Sequence, residues 1–200
     1  LMAVSPVDIA NLALTRLGQD TIVSLTDESS RARAVNAVYS ISRDAVLRGH
    51  PWNFAQKRVK LTADSAAPTF GYTKQFELPA DFLRVTRMEE QSRDFRVEGN
   101  KILCNASTIN VVYTYRVTDS NLFDNLFVDT LAYRIAADTA RQLTGSIETH
   151  SQMIQLYERS LTEAKFLDSS EQPDLNLNPS YLLESRLADS PYRAIEDTNS

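Results

Sequence analysis

The chain has 200 residues, 42% hydrophobic and 24% charged, enough for one compact domain or one domain with an appendage. Its net charge of −5 excludes a protein held to nucleic acid by bulk attraction, which needs clustered lysine and arginine. The single cysteine, Cys104, excludes an internal disulfide, and no apolar run approaches the ~20 residues a bilayer demands.

A first helix is expected from Ser5-Pro6, where serine can accept a free N–H and proline at the first helical position loses nothing. Ile9, Leu12, Ala13 and Leu17 follow at helical spacing, and Gly18 supplies a stop. After the connector QDTIVSLTDES, a second helix is expected from about Ser29 to Arg48, with Ala34, Val38, Ile41 and Ala45 on its inward stripe. Gly49 ends it and Pro51 forbids continuation.

From Trp52 to Val117 the period changes. KRVKL, KQFEL, FLRVTRM, DFRVEG and INVVYTYRV are short, rich in β-branched and aromatic residues, and separated by turn formers. FRVEGNKILC reads as a tight hairpin closed around Gly99-Asn100. About five strands are expected, with little core of their own, so this module should lean on the helices or on another subunit.

Helical text reopens at Asp119. Phe123, Leu126, Phe127, Leu131 and Ile135 mark a third helix running towards Leu143, before Gly145. A fourth spans roughly Ile147 to Leu167, with Met153, Ile154, Tyr157, Leu161 and Ala164 inward. The expected fold is α+β: a four-helix bundle-like body (1–50 and 119–168) with a β module (51–118) inserted between its second and third helices.

Residues 169–200 form a separate, extended C-terminal arm in this reading. They carry six acids against Arg186 and Arg193, so this segment holds a net −4 of the whole chain's −5. Pro173, Pro179 and Pro191 punctuate it, and only SYLLESRL could form a short amphipathic helix. Alone, such a segment buries too little to offset the entropy of ordering it, so a neighbouring subunit or partner is expected to hold it. Tyr181, Leu182, Leu183, Leu187 and Tyr192 are the side chains for that contact.

Candidates for chemistry are thin. His50 and His150 are the only histidines, and no His or Asp neighbours Cys104 in sequence, so a small buried thiol is the simpler reading. No HExxH, CxxC, G-x-G-x-x-G or phosphate-loop motif occurs, so neither a metal site nor a cofactor is expected. The arginines of the second helix are expected to pack and pair rather than read phosphate. Glu89, Glu90 and Asp81 could supply the acids of a hydrolase, which would need two carboxylates converging ~5–10 Å apart.

The block DAVLRGHPWNFAQKRVKL carries a resemblance. A helix ending in Arg-x-His-Pro-Trp-Asn-Phe-Ala and passing into Lys-Arg-Val is similar to the tail tubular protein A family, the head-to-tail adaptors (connectors) of short-tailed bacteriophages. ANLALTRLGQDTIVSL, FELPADFLRV and FVDTLAYRIAADTARQLTGS resemble further blocks of that family in the same order, and together they cover about residues 5–168. The resemblance implies a non-enzymatic virion protein, made in the host cytoplasm, that assembles as a dodecameric ring beneath the portal. Such a ring extends the DNA channel without reading sequence or touching a membrane, and it docks a nozzle (tail tubular protein B-like) protein. It also implies that the helices form the ring body, that the β module faces the nozzle, and that a C-terminal arm reaches the portal. On this reading Trp52 and Phe54 fix the angle of the β module on the helices. Two alternatives stay open: a tail-associated cell-wall hydrolase built on the acids named above, and a small monomeric binding module.

Overall fold

The computed structural model describes residues 4–89 and 94–171. Among these, α1 (Pro6–Arg16) and α2 (Ser30–Gly49) precede the strands β1 (Gln56–Thr62), β2 (Lys74–Glu77), β3 (Phe82–Glu89), β4 (Arg96–Glu98), β5 (Lys101–Cys104) and β6 (Thr108–Tyr115). Helices α3 (Asn125–Thr144) and α4 (Ile147–Ser170) follow. The fold is mixed α+β, with the strands inserted between α2 and α3.

The helix ends are set by local chemistry. Ser5 and Asp8 form a reciprocal capping box on α1: Asp8 N–H donates to Ser5 Oγ at 3.1 Å, and Ser5 N–H donates to Asp8 Oδ2 at 2.9 Å. That hydrogen bonding holds the Asp8 carboxyl below its usual range. Gly18 leaves α1 with φ +66°, a left-handed turn that lets Gln19 N–H close back on Leu14 O at 2.9 Å. In the connector, Asn11 Nδ2 donates to Ile22 O, and Ile22 N–H donates to Asn11 Oδ1, which pins the returning chain on α1.

Six described strands, where about five are expected, form two three-stranded antiparallel sheets, β1-β6-β3 and β2-β5-β4. The additional strand is KILC, the second arm of the hairpin: Glu98 pairs with Lys101 around Gly99-Asn100, and Gly99 takes φ +59°. The inner faces of the two sheets share a small core of Phe76, Leu78, Ile102, Cys104, Ile109, Val111 and Tyr113. The strands therefore have a core of their own. They also lean on the helices, since Ala55, Leu83 and Val117 belong to the larger helical core. β1 is an edge strand, and its Lys57, Arg58 and Lys60 place charge where an open edge would otherwise invite another strand.

The helical core is built from α1, α2 and α3, each contributing fully buried side chains such as Ile9, Leu14, Val35, Leu47, Phe127, Leu131 and Ile135. The inward face of α2 departs from expectation at Ile41 and Ala45. Ala34 is buried and Val38 packs on the core as expected, and Ala32, Val35, Tyr39, Ser42 and Val46 are buried with them, whereas Ile41 is 71% exposed and Ala45 is also exposed. Ser42 can face inward because its Oγ donates to Asp138 Oδ2 of α3 at 2.7 Å, so a polar residue occupies a core position at little cost. Two further positions expected to face inward lie at the margin: Leu12 and Ile154 are each 37% exposed.

Candidate functional site

The aromatic block Gly49–Ala55 forms the joint between α2 and β1. Gly49 is the last residue of α2, His50 is extended, and Asn53–Ala55 make a single 3₁₀ turn that passes directly into β1. Proline at 51 forces this exit, because it cannot continue the helix. Trp52 is only 1% exposed. Its ring meets Phe127 of α3 edge-on at 5.2 Å and 81°, and the His50 ring at 4.8 Å and 74°. Half-buried Phe54 lies on Phe127 at 5.0 Å and on Phe123 at 5.9 Å. Such offset and edge-on pairs contribute about 0.5–1.5 kcal/mol each beyond the area they bury.

The same joint is tied by hydrogen bonds to the free end of α2. Trp52 Nε1–H donates to Val46 O at 3.0 Å. An Arg48 Nη1–H donates to Leu83 O, while Arg84 Nη1 donates back to Arg48 O at 3.2 Å. Arg116, just after β6, donates through Nε to Asp44 Oδ2 at 2.7 Å. The arginines expected to pack and pair include Arg43, which donates to Asp44, and Arg31, whose Nη1 lies 3.4 Å from Asp20.

A residue not singled out in the sequence completes the joint from the far end of the chain. Asp168, in the last turn of α4, accepts His50 Nε2–H through Oδ2 at 2.9 Å and Asn53 N–H through Oδ1 at 3.0 Å. Asn53 Nδ2 donates to Asp168 O at 2.7 Å. The His50 and Asp168 side chains are only 12% and 10% exposed. Burial pushes the His50 imidazole below its usual value, outweighing the pull of the Asp168 carboxylate in the other direction. One signal could have pointed to Asp168: an acid in a helix's last turn faces the negative end of the dipole, and so calls for a donor elsewhere.

Asp81, His150 and Cys104, considered for chemistry, are otherwise engaged. Burial pushes the Asp81 carboxyl up, but hydrogen bonds from Lys57 Nζ (2.5 Å) and Tyr113 Oη (3.0 Å), with the Lys57 charge, hold it below the usual carboxylate value. A carboxyl held ionised in this way is poorly suited to donate a proton. Glu89 closes β3, and Glu90 lies outside the described residues. His150 Nδ1 donates to Ala137 O at 2.8 Å, and Cys104 is fully buried in the core between the sheets. Asn105 accepts from Thr73 N–H at 3.0 Å and from Thr73 Oγ1 at 3.2 Å, a loop-fastening role. A recess of about 220 Å³ beside β1 and β6 is lined by Arg58, Val59, Lys60, Asn110, Val111 and Val112. Among the described residues, no cluster of His, Cys, Asp and Glu has metal-binding geometry, and no helix is long and apolar enough to cross a membrane. Tyr181, Leu182, Leu183, Leu187 and Tyr192 lie outside the described residues.

The described residues thus converge on a packing joint that sets the strands against the helices. The chain belongs to the tail tubular protein family: the model of that family, described as tail tubular protein, matches residues 7–172. It is accordingly a structural protein of a phage tail. No curated protein sequence matches it.

Proposed function

We propose that this chain is a head-to-tail adaptor: copies of it close a dodecameric ring below the portal, extend the DNA channel and present the β strands to a tail nozzle protein. The reading is supported by the ordered blocks that resemble the tail tubular protein A family and by membership of the wider family over residues 7–172. The observation that carries it is the Trp52 joint. A ring made of identical head-to-tail contacts closes only if every subunit holds the same angle, since a small error per copy opens it into a helix. Trp52 and Phe54 hold the strands to α3, and the Arg48–Leu83 and Arg84–Arg48 bonds hold them to α2.

In this reading residues 169–200 act as the arm that reaches the portal, with Tyr181, Leu182, Leu183, Leu187 and Tyr192 making the apolar contacts. Residues 1–50 and 119–168 form the ring body and 51–118 the module facing the nozzle. DNA passes through without sequence-specific recognition. The body ahead of the arm has a net charge of only −1, which suits a channel that must release DNA.

Electron microscopy of the purified chain mixed with its portal protein tests the proposal. Closed rings seated on the portal are the expected result. A chain that stays monomeric beside an intact portal, or that turns over peptidoglycan, would overturn it.

A further inference from the structure

The last turn of α4 is held in an unusual way. Over its 24 residues α4 buries only Met153 and Ala164, and Ala164 is the last of them. Beyond it, Phe166 is 73% exposed and Leu167 42% exposed. At this end of the helix, therefore, deep apolar burial gives way to polar contacts. Asp168 accepts one hydrogen bond from His50 and one from Asn53, and its carbonyl accepts a third from the Asn53 side chain. These partners lie more than a hundred residues away in sequence, on the segment between α2 and β1. The His50 ring that holds Asp168 also stands edge-on against Trp52.

We propose that Asp168, His50 and Asn53 form a releasable latch, which lets the end of α4 detach from the α2–β1 segment while the rest of the fold stays intact. Segments held by a few polar contacts open locally at far lower cost than segments locked by a core. Because the same three residues serve both sides, opening frees Asn53 N–H and the His50 ring together. The Trp52 joint then loses one wall. Residues 171–200 follow α4 directly in the sequence, so a partner that pulls on them or orders them biases the latch, and by reciprocity the latch biases that partner's binding. The use of this coupling in assembly rests on the adaptor reading; the latch itself rests only on the geometry. The charged groups facing His50 are Asp168 and Lys165 on α4 and Arg84 on β3. They leave the imidazole with one acceptor and two neighbouring cations.

Amide hydrogen exchange on the full-length chain, read by mass spectrometry without portal or nozzle present, tests the latch separately from ring formation. Asp168→Ala should speed exchange about fivefold or more in peptides covering 160–170 and also in those covering 50–57, while peptides of α3 keep their protection. His50→Ala should give the same two-site pattern from the other side. The double variant should be little worse than either single one, because both remove one shared contact. Faster exchange at 160–170 with no change at 50–57 in Asp168→Ala would mean simple end fraying and overturn the latch. Uniform acceleration along the whole chain would overturn it too, since α4 would then open only with the entire fold. Additive effects in the double variant would show that His50 and Asp168 do not act on each other.

Discussion

The indole N–H of Trp52 donates to the carbonyl of Val46 at 3.0 Å, six residues back along the chain. Val46 is among the last four residues of α2, whose carbonyls have no partner within the helix. A side chain placed just beyond a helix thus satisfies that helix's own end while burying its ring against the next helix, α3. Capping and packing are the same contact here.

Separating the two is straightforward. Trp52→Phe keeps an aromatic ring but removes the donor, leaving a buried carbonyl unpaired, and should cost about 1–3 kcal/mol. Trp52→Ala also leaves a cavity and should cost about 3–5 kcal/mol. Urea unfolding followed by circular dichroism gives both values. If the joint sets the angle between strands and helices, Trp52→Phe should impair ring assembly on the portal at temperatures where its helix content is unchanged. Normal rings from Trp52→Ala would remove the joint from the assembly argument.

The His50 contact makes a prediction about acid. His50 in the folded chain titrates below its usual value of 6.5, chiefly because it is buried, while in the unfolded chain it titrates near that value. The unfolded state therefore binds the proton first, and stability falls as pH drops from about 6.5 towards the lowered folded value. Above that window the contribution is complete. Denaturation midpoints measured from pH 7.5 down to 5 should decline, and His50→Gln should flatten the decline. A midpoint that rises on acidification would mean that the Asp168 carboxylate, and not burial, governs this imidazole.

Much of the helical layout was legible because its ends carry local chemistry: Ser5-Pro6, the Gly49–Pro51 stop and the left-handed Gly145 all act within a few residues of themselves. What was illegible depends on partners far along the chain. Ser42 looks like a surface residue until Asp138, 96 positions later, accepts its hydroxyl. Ala34 is buried and Val38 packs at the edge of the core, as the apolar spacing implies, but with Tyr39 and Ser42 inward the later positions Ile41 and Ala45 of that stripe turn out to solvent. The division of the strands into two sheets was hidden for the same reason, since β1 and β3 both pair with the distant β6. The HPWNFA block advertised the joint, but its Asp168 wall stands 115 residues from Asn53.

The outward turn of Ile41 can be tested with two substitutions on one helix. Leu47 is fully buried, so Leu47→Ala should cost about 2–5 kcal/mol. Ile41 is 71% exposed, so Ile41→Ser should change the stability of the lone chain by no more than about 0.5 kcal/mol. Thermal or urea unfolding of the two variants under one buffer decides the matter. A large loss from Ile41→Ser in the lone chain would mean that the inward face lies where the apolar count alone puts it.

The alkaline limb is set by tyrosines. Tyr39 is buried in the helical core and Tyr113 in the core between the sheets. Burial pushes both phenols up to about 12, with the Asp81 carboxylate adding to the effect at Tyr113 and the Arg43 charge opposing it at Tyr39. A phenol whose folded value lies above its unfolded value of 10 contributes stability that is whole below 10 and is lost as pH rises towards 12. Absorbance at the phenolate wavelength should therefore show these two tyrosines ionising together with unfolding rather than before it. Tyr39→Phe and Tyr113→Phe should each make stability less dependent on pH between 10 and 12, and the two effects should add, because the residues sit in separate cores. In Tyr113→Phe the Asp81 carboxylate keeps Lys57 as its partner, so the acid limb should move less than the alkaline one. Phenolate absorbance that develops fully near pH 10 in the folded chain would show both hydroxyls to be open to water.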